Sequence, residues 1–357
     1  MFNRYAGIAL ALTLSLSIQC ASAQTVTSQD LVKQGVALHD QGKYDEAVLR
    51  YKEALKQDPA NATARYELAL TYNALDRNEE AVELCKQILK QDSNPSAGFY
   101  STYGNALDGT KKPKEAAKIY QEGLKRYPNE GPLYFNLGVT QATSLQQPAE
   151  AIANMQQSVR CRPEHASSLN ALGLLQQQQG NRVPALLAML RLLQVEPTGP
   201  RAEAVLARFD KLVGQGVDKT GEKAVTISLA PQTVKDAGKK GRADNFGPAD
   251  MLLSMSGALD FSEENKDKTP TEQLIRKLES LISVMDEQQS AKQNGFTWQY
   301  MVPYFVEMKK QGYVPALAYT IQESRAGRTP EVQQWLANHT ATVEEFRGWA
   351  GAYQWPK

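Results

Sequence analysis

Five alanines, Ala47, Ala81, Ala116, Ala151 and Ala185, stand 34 or 35 residues apart. A second series of small residues, Gly35, Ala69, Gly104, Gly138 and Gly173, keeps the same step, and Pro59, Pro128, Pro163 and Pro197 recur at one phase of it. Three series in one register mark an internal repeat whose unit has room for two helices and two turns. Small residues suit places where two helices cross closely, and proline suits the place where a helix has stopped. A lone two-helix unit cannot bury its apolar face, so neighbours must cover it. The register therefore predicts an all-α stack.

Written out, the units are residues 28–61, 62–95, 97–130, 131–165 and 166–199, with single extra residues at Ser96 and in the turn at 146–148. The first unit, SQDLVKQGVALHDQGKYDEAVLRYKEALKQDPAN, carries Gly35, Ala47, Tyr51, Ala54 and Pro59, and in these it resembles a tetratricopeptide repeat. The resemblance extends over residues 28–213, with Pro200 to Val213 reading as an amphipathic capping helix whose apolar face is Ala204, Val205, Phe209 and Leu212. Two departures stand out: the large first-helix residue of unit two is Arg65, and its closing proline is replaced by Ser93. The resemblance implies a right-handed α-solenoid whose concave surface, lined by the first helix of each unit, holds a protein or peptide partner.

On those first helices, unit positions five, nine and twelve share one face. They are Val32, Val36 and His39; Tyr66, Leu70 and Asn73; Ser101, Asn105 and Asp108; Phe135, Val139 and Ala142; Asn170, Leu174 and Gln177. The stripe is apolar and amide-bearing, with little charge. Members of the family that grip a C-terminal carboxylate do so with Lys, Asn and Arg on successive first helices. The best window here offers Ser101, Asn105, Asn136, Ser167 and Ala171, so the asparagines match and the cations are missing. Without a cation the strong charge-assisted bond to a carboxylate is lost. The expected partner-binding residues are Tyr66, Asn73, Asn105, Phe135, Asn136 and Asn170, the amides holding peptide backbone because they both donate and accept.

Ahead of the repeats, Arg4 precedes an apolar run over residues 7–18, followed by Ala21, Ser22, Ala23 and Gln24. This pattern predicts a signal peptide, residues 1–23, cleaved after Ala23. The run is shorter than the roughly 20 residues a bilayer core requires. Removing 23 residues from 357 leaves 334, with no later apolar stretch long enough to span a membrane. The expected product is periplasmic or secreted, an envelope complex being one setting for it, and carries no stable membrane insertion. Forty Lys and Arg against thirty-nine Asp and Glu give a net charge of +1, which argues against nucleic acid as a partner. Only Cys85 and Cys161 follow the leader, too few for a disulfide scaffold, and Cys85 reads as a small buried hydrophobe.

Beyond Val213 the register ends. Residues 214–247, rich in Gly, Lys and Asp, read as a linker, with a β-branched run at 225–229 that suits an edge strand or a clip. Residues 248–357 read as a C-terminal domain of five or six helices, with starts at Thr269 (Pro270 and Glu272 completing a capping box), Thr297, Thr329 with Pro330, and Thr342 with Glu345. All four tryptophans, Trp298, Trp335, Trp349 and Trp355, lie there. They read as core aromatics; the alternative is a ligand-binding domain with Trp349, Tyr353 and Trp355 stacking on sugar or peptide.

Catalytic signals are weak. His39, His165 and His339 show no metal-ligand spacing, no Gly-x-Ser-x-Gly elbow occurs, and the loop beginning at Gly216 has Glu222 where a phosphate loop needs lysine. The expectation is a non-catalytic exported scaffold with no cofactor or metal, a hydrolase in the C-terminal part being the remote alternative. The register makes one immediate prediction. Ala116→Leu overpacks a helix crossing and lowers stability by about 1–3 kcal/mol, whereas Ala243→Leu in the linker is nearly silent in the same thermal unfolding measurement.

Overall fold

The computed structural model describes residues 26–221, 224–230, 233–234, 244–289 and 293–356. The leader and its cleavage point therefore lie outside the described residues. Among those residues no helix is long and apolar enough to cross a membrane. The chain divides into two compact units, residues 1–75 and 76–357, each with its own packing.

The first unit holds α1 (Ser28–Asp40), α2 (Tyr44–Gln57) and α3 (Ala62–Ala74). Thr27 starts α1 with a capping box closed by Asp30, and the Asn61 side chain caps α3 through the Ala64 N–H, so both helix starts satisfy donors that would otherwise be unpaired. Gly35 on α1 lies against the Tyr51 ring, where an added Cβ would sit 2.4 Å from a ring carbon. Ala47, Tyr51 and Ala54 on α2 are fully buried. The small residue on one helix thus makes the space that the aromatic on the next fills.

The second unit continues with α4 (Asn78–Gln91), α5 (Ala97–Gly109), α6 (Pro113–Arg126), α7 (Gly131–Thr143), α8 (Pro148–Cys161), α9 (Ala166–Gln178), α10 (Arg182–Val195) and α11 (Pro200–Val213). Ala97, Gly131 and Ala166, the first residues of repeats three to five, each begin a helix, and α11 begins one repeat step further on. The glycine interlock recurs within this unit: Gly104 faces Tyr120, Gly138 faces Met155 and Gly173 faces Met189, the two methionine pairs being looser than the tyrosine pair. Between the two helices of every repeat the chain makes a left-handed step, at Gly42, Asp76, Lys111, Gln146 and Gly180, which ends the first helix without glycine being obligatory. Cys85 and Cys161 are free thiols, and burial pushes the Cys85 thiol up to about 12, as suits a small buried hydrophobe. The apolar face of α11 is Ala202, Val205, Leu206, Phe209 and Leu212; Ala204, expected on that face, is exposed instead.

α10 differs from the other second helices. At the same register positions α6 shows exposed Lys118, Glu122 and Lys125, whereas α10 carries Leu187, Arg191 and Gln194, the first two buried. A helix that is apolar all round must be covered all round. The cover comes from α12 (Gly247–Ala258), α13 (Pro270–Gln288), a π-helical turn (Thr297–Met301) leading into α14 (Val302–Lys310), then α15 (Val314–Thr320), α16 (Pro330–Asn338) and α17 (Thr340–Ala352). Buried residues of α8 to α15 and of α17 form one continuous core, with the half-buried Trp335 of α16 packed against it. The capping box at Thr269 forms as expected, with Glu272 bonding back to the Thr269 N–H. The start expected at Thr342 falls inside α17, which begins at Thr340 directly after α16 and the junction residue His339.

The β-branched run pairs rather than standing alone. Val217–Lys219 (β1) and Val225–Ile227 (β2) form an antiparallel hairpin packed against α12, so the segment begun by Gly216 is a strand and not a phosphate loop. Behind it the buried Arg182 donates to the Leu212 and Val213 carbonyls, both at 2.8 Å, to Asp250 Oδ1 at 3.0 Å and to Ser254 Oγ at 2.8 Å. Thr233 also donates to Asp250. One guanidinium thereby satisfies the free carbonyl end of α11 and the start of α12.

One tryptophan lies in the core, and the other three pack against that core half-buried. Trp298 is 1% exposed and stacks on Phe246 at 4.3 Å, Trp335 lies between Tyr319 and His339, and Trp349 packs on Tyr304 and Tyr313. The interlock carries a prediction. Gly104→Ala forces a methyl into the Tyr120 ring and lowers stability by about 1–3 kcal/mol, while Gly348→Ala on α17, with nothing within 4 Å of the added carbon, leaves it unchanged or raises it; chemical denaturation of the two variants checks both signs.

Candidate peptide-binding face of the repeats

In the first unit the stripe is partly as expected. Tyr66 and Asn73, two turns apart on α3, are half-buried, as are Val36, His39 and Leu70, but Val32 is buried in the core. His39 Nδ1 lies 2.8 Å from Thr71 Oγ1, and Thr71 in turn donates to the Glu67 carbonyl. Glu67, missed in the sequence because it falls between stripe positions, adds an acid to this face; burial raises its carboxyl pKa, His39 opposing and Asp40 adding to the shift.

In the second unit α5, α7 and α9 supply the other four expected residues. Asn105 is exposed on α5 and accepts a hydrogen bond from the Tyr120 hydroxyl at 2.7 Å, leaving its NH2 group without a partner among the described residues. Asn170 on α9 is held likewise, its carbonyl accepting from Arg208 Nη2 at 2.8 Å. Asn136 on α7 is half-buried and makes no side-chain hydrogen bond among the described residues. Beside it Phe135 meets the His165 ring edge-on at 5.3 Å, and Val139 and Leu174 are half-exposed. The expectation that each amide both donates and accepts is thus refined: Asn105 and Asn170 are oriented by their own fold and present donors, which suit the carbonyls of an extended backbone.

Sequence reasoning also missed Arg208 and Lys211 on α11. They stand one repeat step beyond Leu174 and Gln177, so the stripe continues onto the helix read only as a cap. The signal for them was that step itself, obscured because Ala207 replaces the marker glycine. Lys211 and Gln177 border a cleft of about 550 Å³ whose far wall is the hairpin at Gly216 and Ser228.

The C-terminal helices hold the repeats from the second-helix side. Tyr300 donates to the Val159 carbonyl at 3.3 Å on α8, Arg160 lies over the Phe296 and Tyr300 rings at 5.2 and 4.9 Å, and Arg191 on α10 lies over Tyr304 and Trp355. These contacts leave the amides of α5 and α7 uncommitted.

Residues 38–101 match the family model described as tetratricopeptide repeat. The chain is similar to the Hsp70-Hsp90 organising protein of Plasmodium falciparum, 25% identical over 192 residues that take in 54% of this chain and 72% of that one. It is also similar to Hsp70-Hsp90 organizing protein 1 of Glycine max, 33% identical over 97 residues, 27% of this chain and 17% of the relative. Among solved structures, a thermophilic TPR protein of Thermus thermophilus aligns at 22% identity and a TM-score of 0.45, covering 52% of this chain and 99% of its own. YrrB, described as a TPR protein with an unusual peptide-binding site, aligns at 20% identity and a TM-score of 0.40 over 52% of this chain and 93% of its own. Residues 38–101 are thus tetratricopeptide repeat in family, and the helix pairs of residues 28–199 keep the same register.

Proposed function

We propose that the chain is a non-catalytic, exported interaction scaffold that holds an extended segment of a protein partner along the first-helix face of its repeats. The observation that carries this reading is the pair Asn105 and Asn136, whose donors are uncommitted on helices that pack directly against one another. Between and beside them Phe135, Val139 and Leu174 offer half-exposed apolar surface, so backbone hydrogen bonds and side-chain burial are available together. Amides and apolar groups bind rather than react, which suits a scaffold. The likeness to proteins named as organising Hsp70 and Hsp90 supports a protein partner in kind.

The charge on this face shapes the partner. In the second unit Arg208 and Lys211 add cations one repeat step beyond Leu174 and Gln177, so acidic side chains of the partner would select register while the asparagines hold its backbone. Export rests on the apolar run at 7–18 and the Ala21-Ser22-Ala23 sequence, which fit removal of a leader and a periplasmic or secreted product.

The test uses peptides selected from a random library on the whole mature chain. Asn105→Ala with Asn136→Ala weakens their binding by about tenfold or more, the scale of two lost hydrogen bonds; Asn136→Ala alone leaves the melting temperature in place, whereas Asn105→Ala also removes the acceptor of the Tyr120 hydroxyl and lowers it. Unchanged affinity would overturn the reading.

A further inference from the structure

Arg191 is 2% exposed on a helix face otherwise covered by leucines, and its charge is poorly matched. Its guanidinium lies over the Tyr304 and Trp355 rings, 5.1 and 5.3 Å from their centroids, and donates to Gln194 Oε1 at 2.8 Å. It reaches the Tyr304 hydroxyl only at 3.4 Å, and its ion pair with Glu164 is equally long at 3.4 Å, with the Glu164 side chain 65% exposed. Nε of Arg191 has no hydrogen-bond partner among the described residues. A matched guanidinium–carboxylate pair closes to about 2.7–2.9 Å, so a buried cation here stands beside a loosely held anion. The repeat does not require it: the corresponding position of α6 is the exposed Glu122.

Glu164 and Trp355 also border a cleft of about 530 Å³, together with Arg162, His165 and Tyr353. That volume falls in the range of small-molecule sites, roughly 300–1,000 Å³. Arg162 is exposed and unpaired by any ion pair among the described residues. Burial, then the guanidinium groups of Arg162 and Arg201, push the His165 imidazole below its ordinary value, leaving it a neutral group in a positive surrounding. Planar rings, an exposed cation and a second cation behind an exchangeable carboxylate meet at one opening.

We infer that this cleft binds a carboxylated sugar, its ring stacking on Tyr353 and Trp355 while its carboxylate takes the place of Glu164 beside Arg191, with Arg162 alongside. An extended peptide is served less well, since the cleft offers neither a free strand edge nor a row of side-chain amides. The site lies on the loop between α8 and α9 and at the end of α17, its His165 touching Phe135 of the peptide-binding face, and its test is distinct because it reads a sugar carboxylate and Glu164 rather than Asn105 and Asn136.

The whole chain is titrated with digalacturonic acid, with its methyl ester as the uncharged counterpart and with the dipeptide glutamyl-glutamate, followed by calorimetry and tryptophan fluorescence. Digalacturonic acid binds about tenfold more tightly than the ester, the scale of one charge-assisted contact. Glu164→Gln, which keeps the shape of the side chain and removes its charge, tightens it further because the internal competitor is gone, and Trp355→Ala removes it, with unfolding of both variants followed in parallel because Glu164 pairs with Arg191 and Trp355 stacks on Tyr300 and Tyr304. No binding to either the native chain or Glu164→Gln, equal binding of acid and ester, weaker binding by Glu164→Gln, or equal binding of the dipeptide overturns the inference.

Discussion

The enclosure of α10 is the constraint on which the second unit depends. A two-helix repeat presents an outer second-helix face to solvent, and α6 meets that demand with Lys118, Glu122 and Lys125. α10 has Leu187, Leu190 and Leu193 buried among its twelve interior residues, so leaving any side uncovered would expose apolar surface at about 25 cal/mol per Å². The C-terminal helices supply that cover, and Tyr300, Tyr304 and Trp355 supply the large aromatic contacts over α8 and α10. Arg182 fastens the other end of α10 to α11 and α12 through carbonyls and a carboxylate that would otherwise be buried unpaired.

This arrangement separates the packing face of the repeats from the proposed binding face. Inside each unit, close packing is carried by a small residue facing a larger one: Gly35 and Tyr51, Gly104 and Tyr120, Gly138 and Met155. Because those pairs look inward, the outward first-helix positions are free to vary, and in the second unit they vary toward asparagine and half-exposed apolar groups. Tyr120 joins the two tasks: its ring fills the space beside Gly104 while its hydroxyl fixes the carbonyl of Asn105. The cleft bordered by Glu164 and Trp355 lies where the covering helices meet the repeats and aromatic rings are already gathered.

What the sequence made legible follows from what local chemistry dictates. Glycine at positions 35, 104, 138 and 173 is demanded by close approach, so its periodicity located the units and their first helices correctly. The capping box at Thr269 was readable because its two bonds are local. The left-handed step inside each repeat was not, because Gly, Asp, Lys, Gln and Gly all occupy it. Thr342 misled because a Thr-x-x-Glu pattern also occurs within a helix, and α17 begins without a side-chain cap. The pairing of Tyr300 with Val159, 141 residues apart, leaves no periodic trace, although the unbroken apolar character of α10 was a signal that something must cover it. At the candidate face, register found Asn105 and Asn170 but not the Tyr120 and Arg208 bonds that orient them.

Native-state hydrogen exchange on the intact chain tests the shared core most directly. If α10 is enclosed by the C-terminal helices, the amides of α10, α14 and α15 open in one cooperative step with a common free energy and a common denaturant dependence. Exchange of α14 and α15 through a separate, lower-energy opening that leaves α10 fully protected would contradict it.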